Sequence, residues 1–320
     1  MLTFSRNELV QQPPAMKKSL FIILAFALLI SGCSTISLLY RNADWYLIHN
    51  IDDYTSFTSL QKESIRKDVS DYMQWHREKA LPEYIIFLQN LNGAAQYDGR
   101  LRAEDVSLLR VHLSNLYKKT MVPAIRPTAQ VLSDLDSRQI QELGRTFAGQ
   151  IRKQKKEFLA SGQDENLDKR AERALDLLEW LAGDLSAEQK RKVAELSRQL
   201  PGASYSYIQQ RESNQARLIA LLNDHAGAEQ IASFLSSWIL TPEATRTLQQ
   251  QQVIQSFEAA SDEMIAQIHG MLTARQKDHI GKLISSYIQD MQKLVSGITP
   301  SEAGKTNDAE EKTRSRTTSQ

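Results

Sequence analysis

The stretch LTARQKDHIGKLISSYIQDMQKLV, residues 272–295, carries the pattern on which the fold turns. Ile280, Leu283, Ile284, Tyr287, Ile288, Met291, Leu294 and Val295 recur at spacings of three and four. That is the period of one face of an α-helix, and a stripe this wide predicts a helix packed onto others. Its opening, Leu272-Thr273-Ala274-Arg275-Gln276, reads as a helix start. The Thr hydroxyl accepts from an amide of the first turn, the Gln reaches back to the cap amide, and the preceding Leu packs onto the helix.

The same start stands at Phe57-Thr58-Ser59-Leu60-Gln61, at Leu135-Asp136-Ser137-Arg138-Gln139 and at Leu185-Ser186-Ala187-Glu188-Gln189. Thr241-Pro242-Glu243 suits a fifth, with Pro at the first helical position. The four caps are unevenly spaced along the chain, which argues against a solenoid of fixed period. Two further stripes, Ile140-Leu143-Phe147-Ile151-Phe158 and Leu167-Ala171-Ala174-Leu178-Leu181, have the same helical period. β-Branched alternation is almost absent. The expected fold is therefore all-α, an elongated bundle of about nine to eleven amphipathic helices. Trp180 and Trp238 lie within apolar faces and are expected in the core.

With only 13 Gly and 8 Pro, punctuation is sparse. Breaks are expected at Asn92-Gly93, Asp98-Gly99, Pro123 to Pro127, Ser161-Gly162, Gly183-Asp184, Pro201-Gly202 and Gly227. A helical domain over 33–297 follows, with a sub-boundary near 161–166. Residues 298–320 are polar, of mixed charge and without an apolar face, the composition of a disordered tail.

The 39 basic and 38 acidic residues give a net charge of +1. Arg6, Lys17, Lys18 and Glu8 fall within residues 1–32, so loss of that segment leaves a formal charge of −1. Such a balance speaks against bulk electrostatic binding of nucleic acid. The densest basic run, Arg152-Lys153-Gln154-Lys155-Lys156, lies between core positions of its helix and reads as a solvated face.

The only cysteine, Cys33, ends the string Leu29-Ile30-Ser31-Gly32-Cys33. An apolar run from Leu20 to Ile30 precedes it, and Met16-Lys17-Lys18 precedes that. A basic start, a short apolar stretch and a small-residue exit are the parts of a secretory signal. With the cysteine in place, the string resembles the lipobox of bacterial lipoproteins. The resemblance implies a signal peptide over residues 1–32, cleavage after Gly32, and diacylglyceryl and N-acyl lipid on Cys33. Residues 1–15 fit no signal n-region, and the start is expected at Met16. Ser34 implies sorting to the outer membrane, with the body in the periplasm and the acyl chains holding it to the bilayer. No thiol would then remain for disulfides, metal or catalysis.

Beyond the anchor stand Asn42-Ala43-Asp44-Trp45, Asp52-Asp53-Tyr54, Phe57-Thr58-x-x-Gln61, Trp75-His76-Arg77 and Leu81-Pro82. This series resembles an uncharacterised family of proteobacterial lipoproteins, a domain of unknown function, from residue 33 to about residue 90. Phe57 replaces that family's usual Leu. The resemblance implies an all-helical envelope lipoprotein and transfers no catalytic residue. The cap motifs at 185–189 and 272–276 are also similar to those of periplasmic stress chaperones, although an ordinary capping box has the same form.

Ile65, Val69, Tyr72 and His76 share a helical face, which places His76 inward, beside Trp75 and Arg77 and near Glu83. Asp52 and Asp53 lie just upstream. A histidine with a carboxylate partner can act as a general base or a recognition site, or simply brace its helix. No pair of histidines has metal-ligand spacing, and no phosphate loop or nucleophile elbow occurs. Tyr40, Trp45 and Tyr46 suit either the membrane interface or the first core helix, and core packing is the expectation. The leading expectation is a non-enzymatic helical lipoprotein that binds envelope proteins or misfolded chains. The alternatives are a cell-wall or lipid-acting enzyme using His76, and a structural subunit of an envelope complex.

Overall fold

The computed structural model describes residues 35–160 and 163–297. The lipobox with Cys33 and the 298–320 tail lie outside the described residues. The described residues are all-α, with no strand among them. Twelve α-helices follow in order: α1 (Thr35–Arg41), α2 (Ala43–Asp52), α3 (Ser59–Trp75), α4 (Leu81–Ala95), α5 (Ala103–Ser133), α6 (Ser137–Ala160), α7 (Gln163–Ala182), α8 (Ala187–Gln199), α9 (Ser204–Asn223), α10 (Ala228–Leu240), α11 (Leu248–Met271) and α12 (Ala274–Val295). None of the described helices is long and apolar enough to cross a membrane.

Thr58, Ser186 and Thr273 form complete capping boxes with Gln61, Gln189 and Gln276. Asp136 and Gln139 exchange the same bonds, at 2.8 and 3.0 Å. The start expected at Thr241 makes only a 3₁₀ turn, Pro242–Thr245, without a side-chain cap bond. The true box lies six residues on, where Thr247 and Gln250 open α11.

Two expected breaks are absent. Asn92-Gly93 lies within α4, and α5 runs unbroken past Pro123 and Pro127. Each proline removes one N–H from the helical ladder, freeing the carbonyls of Lys119 and Pro123, but the packing of α5 against α10 and α11 overrides this cost. The break between α3 and α4 is softer than a loop. Pro82 cannot donate to the carbonyl four residues back, and the turn His76–Ala80 widens to a π-turn in which Leu81 N–H reaches His76 O.

Two apolar clusters hold the helices. Ile125, Leu143, Leu218, Ile231 and Leu235 join α5, α6, α9 and α10. Leu178, Leu185 and Val193 join α7 and α8 to Ile268, Met271 and Ile280 of α11 and α12. Trp238 packs on the first cluster. Trp180 does not enter the second: it is 43% exposed and lies against the Tyr287 ring. Helix α12 closes on α4 at Gly281, where a Cβ would run into the side chains of Gln96 and Asn92.

The four cap glutamines do more than cap. Gln139 Nε2 donates to Gln61 Oε1 at 2.7 Å, and Gln61 Nε2 to Gln139 Oε1 at 3.2 Å. Gln189 and Gln276 repeat the exchange at 2.8 and 3.1 Å. Each amide also donates to the carbonyl two residues before its partner's cap: Asp134, Ser56, Met271 and Asp184. The unevenly spaced starts are therefore two pairs of one two-fold device, each clamping two helix N-termini head to head.

Candidate functional site

The first apolar cluster does not close completely. A cavity of about 850 Å³ opens between α2, α3, α5, α6, α9 and α10, lined mainly by apolar side chains. Its size falls in the range of small-molecule sites. Leu47 and Ile51 of α2 face it, as do Val69, Tyr72 and Trp75 of α3, at the spacing of one helical face. Pro123, Ala124, Pro127 and Val131 supply the α5 wall. Prolines and a short alanine there leave space that larger helix formers would fill.

Few polar groups line this cavity. Thr55 is tied to the Gln139 carbonyl and to Glu142, each at 3.1 Å. Glu142 also accepts the Ser56 N–H at 2.9 Å, and these donors hold its carboxyl down to about 2. Asp71 pairs with Lys67 at 2.7 Å. Asp68, Arg211 and Gln215 have no such partner.

Trp75 joins the cavity to a second cluster around His76. His76 Nδ1 lies 3.0 Å from the Tyr40 hydroxyl, which also donates to the Met73 carbonyl at 3.2 Å. With that proton committed to Met73, the Tyr40 oxygen accepts from Nδ1–H. The rings of Tyr40, Tyr72 and Tyr84 stand 5.7–5.9 Å from the imidazole. Arg77 lies over the Tyr40 ring. Burial lowers the His76 pKa and pushes Tyr72 up to about 12, so both are neutral at ordinary pH.

None of the expected carboxylates is hydrogen-bonded to His76 among the described residues. Asp52 pairs with Lys62 at 3.2 Å, and Glu83 with Lys119 at 2.8 Å. Asp53 is exposed at the end of α2. The contacts of His76 are a tyrosine hydroxyl and aromatic faces, a set that braces α1 against the π-turn. Among the described residues, no group of three His, Asp or Glu side chains could hold a metal ion.

Tyr40 packs on His76, but Leu39, Trp45 and Tyr46 depart from the expected core packing. Leu39 is 67% exposed, Trp45 65% and Tyr46 61%, and α2 has no buried residue. Trp45 stacks on His49 and on nothing deeper. Leu47 and Ile51 supply the inner face of α2, and its outer face carries the aromatics. The basic run on α6 is solvated as expected, with Lys155 paired to Glu212.

Sequence reading missed the cavity, since no local pattern announces space left between six helices. The two prolines within a helical stretch were its one available signal. It also missed Asp262, 2% exposed, whose carboxylate receives Arg110 at 2.9 Å through both Nε and Nη2.

A family model described as a family of unknown function, DUF6279, matches residues 53–244. That span includes the Trp75-His76-Arg77 and Leu81-Pro82 segments and every helix lining the cavity except α2. It leaves the Asn42-Ala43-Asp44-Trp45 segment outside. No curated protein and no solved structure matches the chain.

Proposed function

The chain belongs to the DUF6279 family of unknown function, and from that premise, which brings no activity, we propose a non-enzymatic binding protein of the bacterial envelope. It is tethered to a membrane through lipid on Cys33, and it takes an apolar chain into the cavity between α2, α3, α5, α6, α9 and α10. The observation that carries this reading is the cavity, about 850 Å³ of mostly apolar space beside the first apolar cluster. Apolar walls bind by removing hydrocarbon from water, roughly 25 cal/mol for each Å² buried.

The outer face of α1 and α2 supports the tether. Leu39, Trp45 and Tyr46 lie within a dozen or so positions of Cys33 and point to solvent. Tryptophan and tyrosine prefer the bilayer interface, where the ring is apolar and its polar atom stays hydrated. Helix α2 would then stand between the bilayer and the cavity, with its aromatics toward the lipid and Leu47 and Ile51 toward the ligand.

Displacement of a fluorescent fatty acid from the full chain carrying Cys33→Ala tests the binding. The probe should bind one per chain, and Ala124→Trp, which fills the α5 wall, should weaken it at least tenfold with helix content unchanged. Equal binding to both proteins would refute the cavity as the site. For the tether, mass spectrometry of the mature N-terminus should find acylated Cys33.

A further inference from the structure

Among the described residues, the lining of the cavity carries one charge of each sign outside any ion pair. Asp68 on α3 and Arg211 on α9 both line it, and neither has an ion pair or hydrogen bond. Their neighbours are satisfied: Asp71 is held by Lys67, and Glu212 by Lys155. Burial raises the pKa of the Asp68 carboxyl; the charge of Lys67 opposes this, and a further cation seated beside Asp68 would oppose it more. One helical turn from Arg211, Gln215 lines the same cavity. It is 7% exposed, and its Oε1 is buried without a donor. Buried acceptors are almost always satisfied, because water's hydrogen bond has been lost and nothing replaces it.

These three groups define what a ligand's polar end must offer. An anionic head would meet Arg211 but would also face Asp68. A cationic head would meet Asp68 but would also face Arg211. A head bearing both charges compensates both side chains, and a hydroxyl beside it would donate to Gln215 Oε1. Resting on the cavity reading above, we propose that the ligand is a single-chain zwitterionic phospholipid, a lysophospholipid drawn from the bilayer. Its acyl chain fills the apolar space, its phosphate pairs with Arg211, its ammonium pairs with Asp68, and its glycerol hydroxyl reaches Gln215. Arginine suits the phosphate because its planar fork bonds two oxygens at once.

The test uses the full chain with Cys33→Ala and a bound fluorescent fatty acid. Competitors of equal chain length are added below their micelle concentrations: lysophosphatidylethanolamine, alkylphosphocholine, alkyl sulfate, alkyltrimethylammonium and alkyl maltoside. The two zwitterions should displace the probe at concentrations at least tenfold lower than the other three. Asp68→Asn should move the preference to alkyl sulfate, and Arg211→Gln should move it to alkyltrimethylammonium. Gln215→Leu should weaken lysophosphatidylethanolamine more than alkylphosphocholine, which has no hydroxyl. Probe binding with no advantage for the zwitterions, or a preference unmoved by both charge variants, overturns the head-group assignment and leaves the cavity reading standing. Failure of the probe to bind overturns both.

Discussion

Replacing Gln189 by alanine removes four hydrogen bonds at one stroke. Its amide donates to the Met271 carbonyl at 2.9 Å and to Gln276 Oε1 at 2.8 Å. Its oxygen accepts from Ser186 N–H at 2.9 Å and from Gln276 Nε2 at 3.1 Å. A net bond contributes about 1 kcal/mol, and a buried group left unpaired costs about 1–3 kcal/mol more. Gln276 keeps the Asp184 carbonyl, so its amide is not wholly orphaned. The expected loss is therefore about 3–5 kcal/mol. The chain contains its own control. Gln250 makes the same capping box with Thr247 but pairs with no second glutamine, and Gln250→Ala should cost about 1 kcal/mol. Urea unfolding of the Cys33→Ala chain, followed by far-ultraviolet circular dichroism, gives both values. The double variant of Gln189 and Gln276 should fall short of the summed single losses by about 0.5–3 kcal/mol, as expected for residues in direct contact. If Gln189→Ala and Gln250→Ala lose equal stability, or the pair is additive, the reciprocal clamp is not an energetic unit.

Other consequences follow from the same packing. Arg110→Met leaves the buried Asp262 carboxylate without its partner and should cost about 3–5 kcal/mol, with much of the loss restored by adding Asp262→Leu; thermal unfolding of the single and double variants checks this. Glu142 is held at about 2 in the folded chain against 4.5 unfolded, so the folded state binds fewer protons and stability falls as pH drops from about 4.5 toward 2. Glu142→Gln should flatten that limb in urea midpoints measured against pH, and an unchanged slope would show that other carboxylates carry it. Adding phospholipid vesicles to the Cys33→Ala chain should shift tryptophan emission to the blue, and Trp45→Phe should abolish the shift although Trp75, Trp180 and Trp238 remain. A shift that survives Trp45→Phe would place the lipid contact elsewhere.

Helix class and helix starts were legible in the sequence because both are local. The stripe on α12 and the boxes at Thr58, Asp136, Ser186 and Thr273 depend on residues three and four apart, and every such start stands where the pattern put it. The misplaced breaks show the limit of local signals. Pro123 and Pro127 ordinarily end a helix, but contacts made far along the chain keep α5 intact. The spacing of Trp180 and Leu178 on α7 likewise could not say how deeply each would be buried: Leu178 entered the second cluster, and the tryptophan stayed 43% exposed with its ring against Tyr287 of α12.

The candidate site divides in the same way. Inward placement of His76 followed from its helical face, but its partner is Tyr40, 36 positions earlier, and not one of the nearby carboxylates. Those had closer cations in Lys62 and Lys119. By itself the sequence determined an all-α chain and the boxes at Thr58, Asp136, Ser186 and Thr273, since the forces involved act within one helical turn. Only the tertiary structure decided that Gln61 would find Gln139 across 78 positions, that Gln189 would find Gln276 across 87, and that six helices would leave an apolar space among them. Those outcomes depend on how rigid helices fit together, and a one-dimensional pattern does not encode the volume left between them.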